Sequence, residues 1–155
     1  MARIRVYADT SVFGGVADEE YAEPSRRFFE RVRRGEFILM VSIEVLRELS
    51  GAPQAVQQAF ENLPEEYLET APVTPAVEAL AGAYLAAGVV GAASRGDAIH
   101  VAAASAAGAD LIVSWNFRHI VSYSRIARYN AVNVLNGYRP IEIRSPAELV
   151  YDDET

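Results

Sequence analysis

The chain has 155 residues, 51% of them hydrophobic and 23% charged, which suits one compact domain with a sizeable core and argues against intrinsic disorder. It contains no cysteine, which excludes disulfides, cysteine-ligated zinc, iron–sulfur clusters and thiol catalysis. Fourteen basic residues against 21 acidic ones leave a formal charge of −7, so contact with a nucleic acid needs a local basic patch or bound cations.

Every basic residue is arginine. Without lysine there is no P-loop, no receiver-type phosphoacceptor site and no Schiff-base chemistry. His100 and His119 are too few for a histidine-based zinc site. Residues 1–7 lack the apolar core of a signal peptide. The longest uncharged run, residues 79–94, is interrupted by Gly82, Gly88 and Gly91 and is too short to span a bilayer. The expectation is a soluble, cytoplasmic protein with no membrane partner.

In chain order, residues 3–8 read as a first strand that ends in Asp9-Thr10-Ser11. Residues 19–34 suit a helix, with Gly35 as its stop. Residues 37–41 (FILMV) are a wholly apolar strand of the kind buried in a parallel sheet. Ser42 reads as the N-cap of a helix through Leu49 that stops at Gly51, and residues 54–63 as another helix. Residues 67–73 are a weaker strand. Residues 75–87 and 97–107 are alanine-rich helices, the second stopping at Gly108. Residues 111–114 form a strand, 117–129 a helix, and 140–144 a last edge strand. No linker or repeat divides the chain, so residues 1–155 are one domain with an acidic tail from about residue 150. Strands that alternate with helices predict a three-layer α/β sandwich with a mostly parallel sheet of four or five strands.

In such a sheet, ligands collect beyond the carboxyl ends of the strands. Asp9 follows the first strand, and Asn116 the fourth. Glu44 and Glu48 lie on the helix entered from the second strand, and Asp97 starts the helix that feeds the fourth. Each acid also has a local reading. Asp9 can cap its turn, Glu44 sits in a first helical turn where the dipole favours a carboxylate, Glu48 can pair with Arg47, and Ser94 to Asp97 has capping-box spacing. Together, converging carboxylates repel one another. A hard divalent cation such as magnesium removes that cost and can activate water at a phosphate.

Four segments resemble the motifs of the PIN-domain family, in order, across residues 4–145. They are Val6-Tyr7-Ala8-Asp9-Thr10-Ser11-Val12, Ser42-Ile43-Glu44-Val45-Leu46-Arg47-Glu48-Leu49, Asp97-Ala98-Ile99-His100-Val101-Ala102-Ala103-Ala104, and Gly108 through Phe117 with Val113-Ser114-Trp115-Asn116 at its heart. The resemblance implies a PIN-like sandwich and a metal-dependent endoribonuclease, many small members being toxins of VapC-type toxin–antitoxin pairs. It implies Asp9, Glu48 and Asp97 as ligands of Mg²⁺ or Mn²⁺, with Thr10 or Ser11 orienting Asp9. Asn116 stands where a fourth acid is often found; its amide can ligate magnesium but adds no charge. The alternative is a weakened scaffold that binds RNA or a protein without cutting.

Arg95, Arg118 and Arg125 are placed to contact an RNA backbone. Arg26, Arg27, Arg31, Arg33 and Arg34 read rather as a solvated face pairing with Glu19, Glu20, Glu23 and Glu30. His100, three residues beyond Asp97 on one helical face, is either a support for that carboxylate or a hydrogen-bonded packing residue. Trp115 reads as core ahead of a base-stacking surface. Asp152, Asp153 and Glu154 read as a solvated tail. The small residues of 79–93 allow close helix packing, and the family resemblance implies a homodimer and an antitoxin partner.

Overall fold

In the computed structural model, which describes residues 3–151, the apolar runs of the sequence become the middle of a sheet. Asp152, Asp153 and Glu154 lie outside the described residues. The strands are β1 (Ile4–Ala8), β2 (Phe37–Ser42), β3 (Leu68–Ala71), β4 (Leu111–Val113) and β5 (Glu142–Arg144). Their order is β3-β2-β1-β4-β5, and every pairing is parallel. Parallel neighbours cannot be joined by tight hairpins, so helical crossovers connect them. The helices are α1 (Thr10–Gly14), α2 (Ala22–Arg33), α3 (Ile43–Ser50), α4 (Gln54–Glu61), α5 (Pro75–Ala86), α6 (Arg95–Ala106), α7 (Tyr123–Leu135) and α8 (Pro146–Tyr151). The result is a three-layer α/β sandwich.

Strands covered on both faces should be apolar throughout. Val6, Tyr7, Ala8, Leu39, Met40, Ile112 and Val113 are accordingly all buried. Helix stops fall where the sequence places them: Gly35 and Gly108 adopt φ of +76° and +73°, a left-handed turn that a side chain would strain. Thr74 caps α5 by accepting the Val77 N–H, with Pro75 in the first turn. The small residues of α5 and α6 are used within the chain, where these two helices pack together. No helix among the described residues is long and apolar enough to cross a membrane.

Three local expectations need correction. The helix expected over residues 117–129 begins at Tyr123 and runs to Leu135. The Asn116 carbonyl accepts the N–H groups of Ile120 and Val121, closing residues 116–121 into a turn, and the Ser122 hydroxyl caps the helix that follows by accepting from Arg125 N–H. Ser42 stands at the N-cap position of α3, but its hydroxyl bonds Tyr7 across the sheet. Ser94 begins α6 without a side-chain cap, so the capping-box reading of Asp97 falls away.

The strand order matters for function. From β1 the chain builds outward through β2 to β3, then crosses to the other side of β1 and continues through β4 to β5. The direction reverses between β1 and β4. The crevice at the carboxyl ends of two such strands is where open α/β sheets bind ligands. Asp9 and Ser114 leave β1 and β4 at that point, side by side because the register pairs Ala8 with Val113.

Candidate active site

Asp9 ends β1 and is only 3% exposed. Ser11 Oγ donates to its Oδ1 at 2.6 Å and Ser114 Oγ to its Oδ2 at 2.8 Å. Each hydroxyl in turn accepts a backbone N–H, from Trp115 and Asn116 respectively, both at 2.9 Å. Those N–H groups fix the two oxygens as acceptors and turn their single protons toward the carboxylate. Burial pushes the Asp9 carboxyl above its ordinary range. The positive charge of His100 and the two hydroxyls pull it partly back, and the Asp97 charge pushes it up further.

A second group forms where α3 meets α6. His100 is buried; its Nε2 lies 2.7 Å from Glu48 Oε1, and its Nδ1 lies 2.8 Å from the Tyr7 hydroxyl. The hydroxyl also bonds Ser42 Oγ at 2.7 Å. Burial pushes the Glu48 carboxyl up, but the hydrogen bond and charge of His100 outweigh it and hold that carboxyl low. Burial likewise pushes the imidazole down, and the bond to Glu48 with the charges of Asp9, Glu48 and Glu44 lifts it above its ordinary value. The Tyr7 hydroxyl is held far above its ordinary range, by burial first and then by the same three carboxylates, against the Ser42 bond.

Asp97 forms the third station. Its Oδ2 lies 3.1 Å from His119 Nδ1, and Ser94 Oγ approaches the same ring nitrogen at 3.3 Å. His119 is itself fixed, because its N–H donates to Asn116 Oδ1 at 2.8 Å. Glu44 is the more buried of the two glutamates on α3 and pairs with Arg47. A Cβ at Gly96 would lie 3.4 Å from Glu44 Oε1, so the first turn of α6 closes directly over that carboxylate.

Several residues thus differ from their expected roles. Ser11 holds Asp9 as expected. Thr10 does not: its Oγ1 is buried without a hydrogen-bond partner among the described residues, close enough to Glu48 to favour the charged carboxylate. His100 supports Glu48 and not Asp97. Arg47 pairs with Glu44 and leaves Glu48 to the histidine. Arg95 and Arg118 are exposed, while Arg125 is half-buried with its Nε donating to Val89 O. Trp115 is core: its Nε1 donates to Ser25 Oγ at 2.8 Å and its ring stacks on Tyr21 at 4.1 Å. On α2, Arg27 pairs with Glu23, Arg31 with Glu36, and Arg33 and Arg34 with Glu30. Those four arginines form a salt-bridged face, while Arg26 donates to Val16 O.

Ser114, Tyr7 and Ser42 were missed by sequence reasoning. Ser114 alone left a signal, as the polar residue ending the strand that carries Asn116.

No protein-family model matches the chain, and no curated protein sequence matches it.

Whether a cation suits this edge can be judged from its donors. Among the described residues no three His, Asp or Glu side chains form a ready-made metal set. Oxygen donors predominate, as magnesium and manganese require. Asp9 is a buried carboxylate that no arginine touches among the described residues, and its charge is disfavoured where it stands. Glu48 and Asp97 each have one oxygen held by a histidine, the kind of outer support that orients a ligating carboxylate. In that sense the residues fit.

Proposed function

We propose that the chain is a Mg²⁺- or Mn²⁺-dependent endoribonuclease acting at the crevice between the carboxyl ends of β1 and β4. The observation that carries this reading is Asp9, a buried carboxylate at the switch point of the sheet that is braced by two hydroxyls and, among the described residues, meets no arginine. Asp9, Glu48 and Asp97 would hold the ion. When bound, it would supply an activated water and neutralise charge on the phosphate. Ser11 and Ser114 keep Asp9 oriented, His100 keeps Glu48 ionised, and His119 positions Asp97. Arg95 and Arg118, both exposed, would meet the RNA backbone. On the same reading, supported by the four motifs in order, the chain is the toxin of a VapC-type pair, cytoplasmic, homodimeric and met by an antitoxin protein.

A second reading has its own observation. Asn116 Oδ1 accepts the His119 N–H, so the amide at the fourth position serves the turn. That favours a scaffold which holds RNA or a protein without cutting. One experiment separates the two. Purified protein is incubated with mixed single-stranded RNA, in EDTA and with Mg²⁺ or Mn²⁺. Metal-dependent cleavage that disappears in Asp9→Asn supports hydrolysis. RNA shifted but uncleaved under every metal condition supports the scaffold.

A further inference from the structure

Burial of Trp115 moves the question of base contact one turn along the chain. Phe117 is 45% exposed although Trp115, two residues before it, is buried. It lies on the turn of residues 116–121. Phe117 N–H donates to Trp115 O at 2.9 Å, and Ile120 and Val121 N–H both bond the Asn116 carbonyl. The same turn carries His119, which binds Asp97 through its ring and Asn116 through its backbone. Phe117 is therefore fixed relative to the acid edge by short bonds on either side of it.

The ring is also backed. Its centroid stands 6.1 Å from Trp115 at 63° and 6.3 Å from Tyr21 at 55°, while Trp115 and Tyr21 stack on each other at 15°. The stack is anchored by the Trp115–Ser25 hydrogen bond. Two aromatic neighbours brace Phe117 and leave much of its surface to solvent. A braced ring loses little freedom when a flat ligand covers it. Arg118 is exposed beside it, and Arg95 is exposed next to Ser94, which approaches His119 from the position before α6. An exposed apolar ring with a solvated guanidinium at the next position, on the turn whose His119 meets Asp97, suits a ligand that is flat and apolar in one part and anionic in another.

We propose that Phe117 is a stacking platform for one unpaired base of single-stranded RNA, with Arg118 on the adjoining phosphate. The inference rests on the RNA reading above and deepens it: the substrate must present an unstacked base at the site, so duplex RNA is excluded. Stacking recognises the face of any base, so the platform sets strand state and register while leaving sequence open.

The test uses a single-stranded oligoribonucleotide carrying 2-aminopurine, whose emission falls when it stacks. The full chain is titrated in, in EDTA and again with Mg²⁺. The wild type quenches the probe and binds it; a duplex of the same sequence is bound at least about tenfold more weakly. Phe117→Ala abolishes the quench and weakens binding by about tenfold. Phe117→Trp restores both, which separates stacking from a structural defect. Arg118→Ala weakens every sequence alike, lowers the salt dependence by about one phosphate contact, and keeps the quench at saturation. Phe117→Ala binding and quenching like the wild type, or a wild type that binds without quenching or binds nothing, overturns the proposal. Quenching by a wild type that cuts no RNA with either metal keeps the platform and removes the nuclease. Cleavage undiminished in Phe117→Ala does the reverse.

Discussion

Asp9→Asn should separate the chemistry of the acid edge from the stability of the fold. Burial raises the Asp9 carboxyl, so the folded protein carries this charge less readily than the unfolded chain does. A carboxyl raised in this way destabilises the fold at neutral pH, by about 1.4 kcal/mol for each unit of elevation. Asparagine keeps the shape and sheds the charge. Ser11 can go on donating to the amide oxygen. On the other side the amide donates to Ser114 Oγ, which still has a lone pair after accepting the Asn116 N–H. The Ser114 proton then turns to Ser11 Oγ, 3.4 Å away. One amide N–H is paired in this way and the other lies in the field of Asp97, whose charge opposes the native carboxylate, so the variant gains on the order of 1 kcal/mol, a Tm rise of about 2–4 °C in a domain of this size. The gain depends on pH in a definite sense. It is absent below the unfolded value of 3.8, grows as the pH rises through the higher folded value, and is complete above it. Circular-dichroism melts of both proteins in EDTA, at several values between pH 3.5 and about 8, follow it directly. A variant less stable than the wild type at pH 7, or a difference that ignores pH, refutes the reasoning.

Three further outcomes follow from other parts of the fold. The Glu48–His100 pair contributes fully between pH 4.5 and 6.5; the contribution falls on acidification as Glu48 protonates below 4.5 and on alkalisation as His100 deprotonates above 6.5. The urea midpoint of the wild type relative to His100→Gln should therefore peak inside that window, and a flat difference would argue that the pair is not ionic. Gly15→Ala would place a methyl within contact distance of Ser25 Oγ and 2.7 Å from Trp115 Nε1. It should lose about 1–3 kcal/mol and shift the fluorescence of the single tryptophan, as the Trp115–Ser25 bond gives way. The double variant Arg33→Ala/Arg34→Ala removes exposed partners of Glu30. It should leave the urea midpoint almost unchanged and RNA affinity in a filter-binding assay unaltered, whereas a marked loss of affinity would make the salt-bridged face of α2 part of the RNA surface.

The sheet was readable because its signals are local. Phe37 to Val41 is apolar without interruption, and Gly35 and Gly108 stop the helices beside their strands. The place of Asp9 at the end of β1 was readable for the same reason, as the first acid after an apolar run. The wiring of the site was not. His100 and Glu48 are 52 residues apart, Ser114 and Asp9 are 105, and no local pattern announces such pairs. Spacing put His100 one helical turn from Asp97 and left it either a support for that carboxylate or a packing residue; the packing of α6 against α3 gives it to Glu48. Glu44 looked like a helix-dipole carboxylate, yet it is the glutamate that the fold buries, because Gly96 lets α6 close over it. The start of α7 was misplaced because Asn116 and Ser122 both favour turns and caps, and the structure uses each for that purpose.

The proposed nuclease requires Asp9, Glu48 and Asp97 to act together on one cation. Calorimetric titration of Mn²⁺ into the metal-free protein measures this without reference to RNA. The prediction is binding by the wild type, weakened by at least about tenfold in each of Asp9→Asn, Glu48→Gln and Asp97→Asn. A wild type that binds no Mn²⁺, or three variants that bind it as tightly as the wild type does, would contradict it.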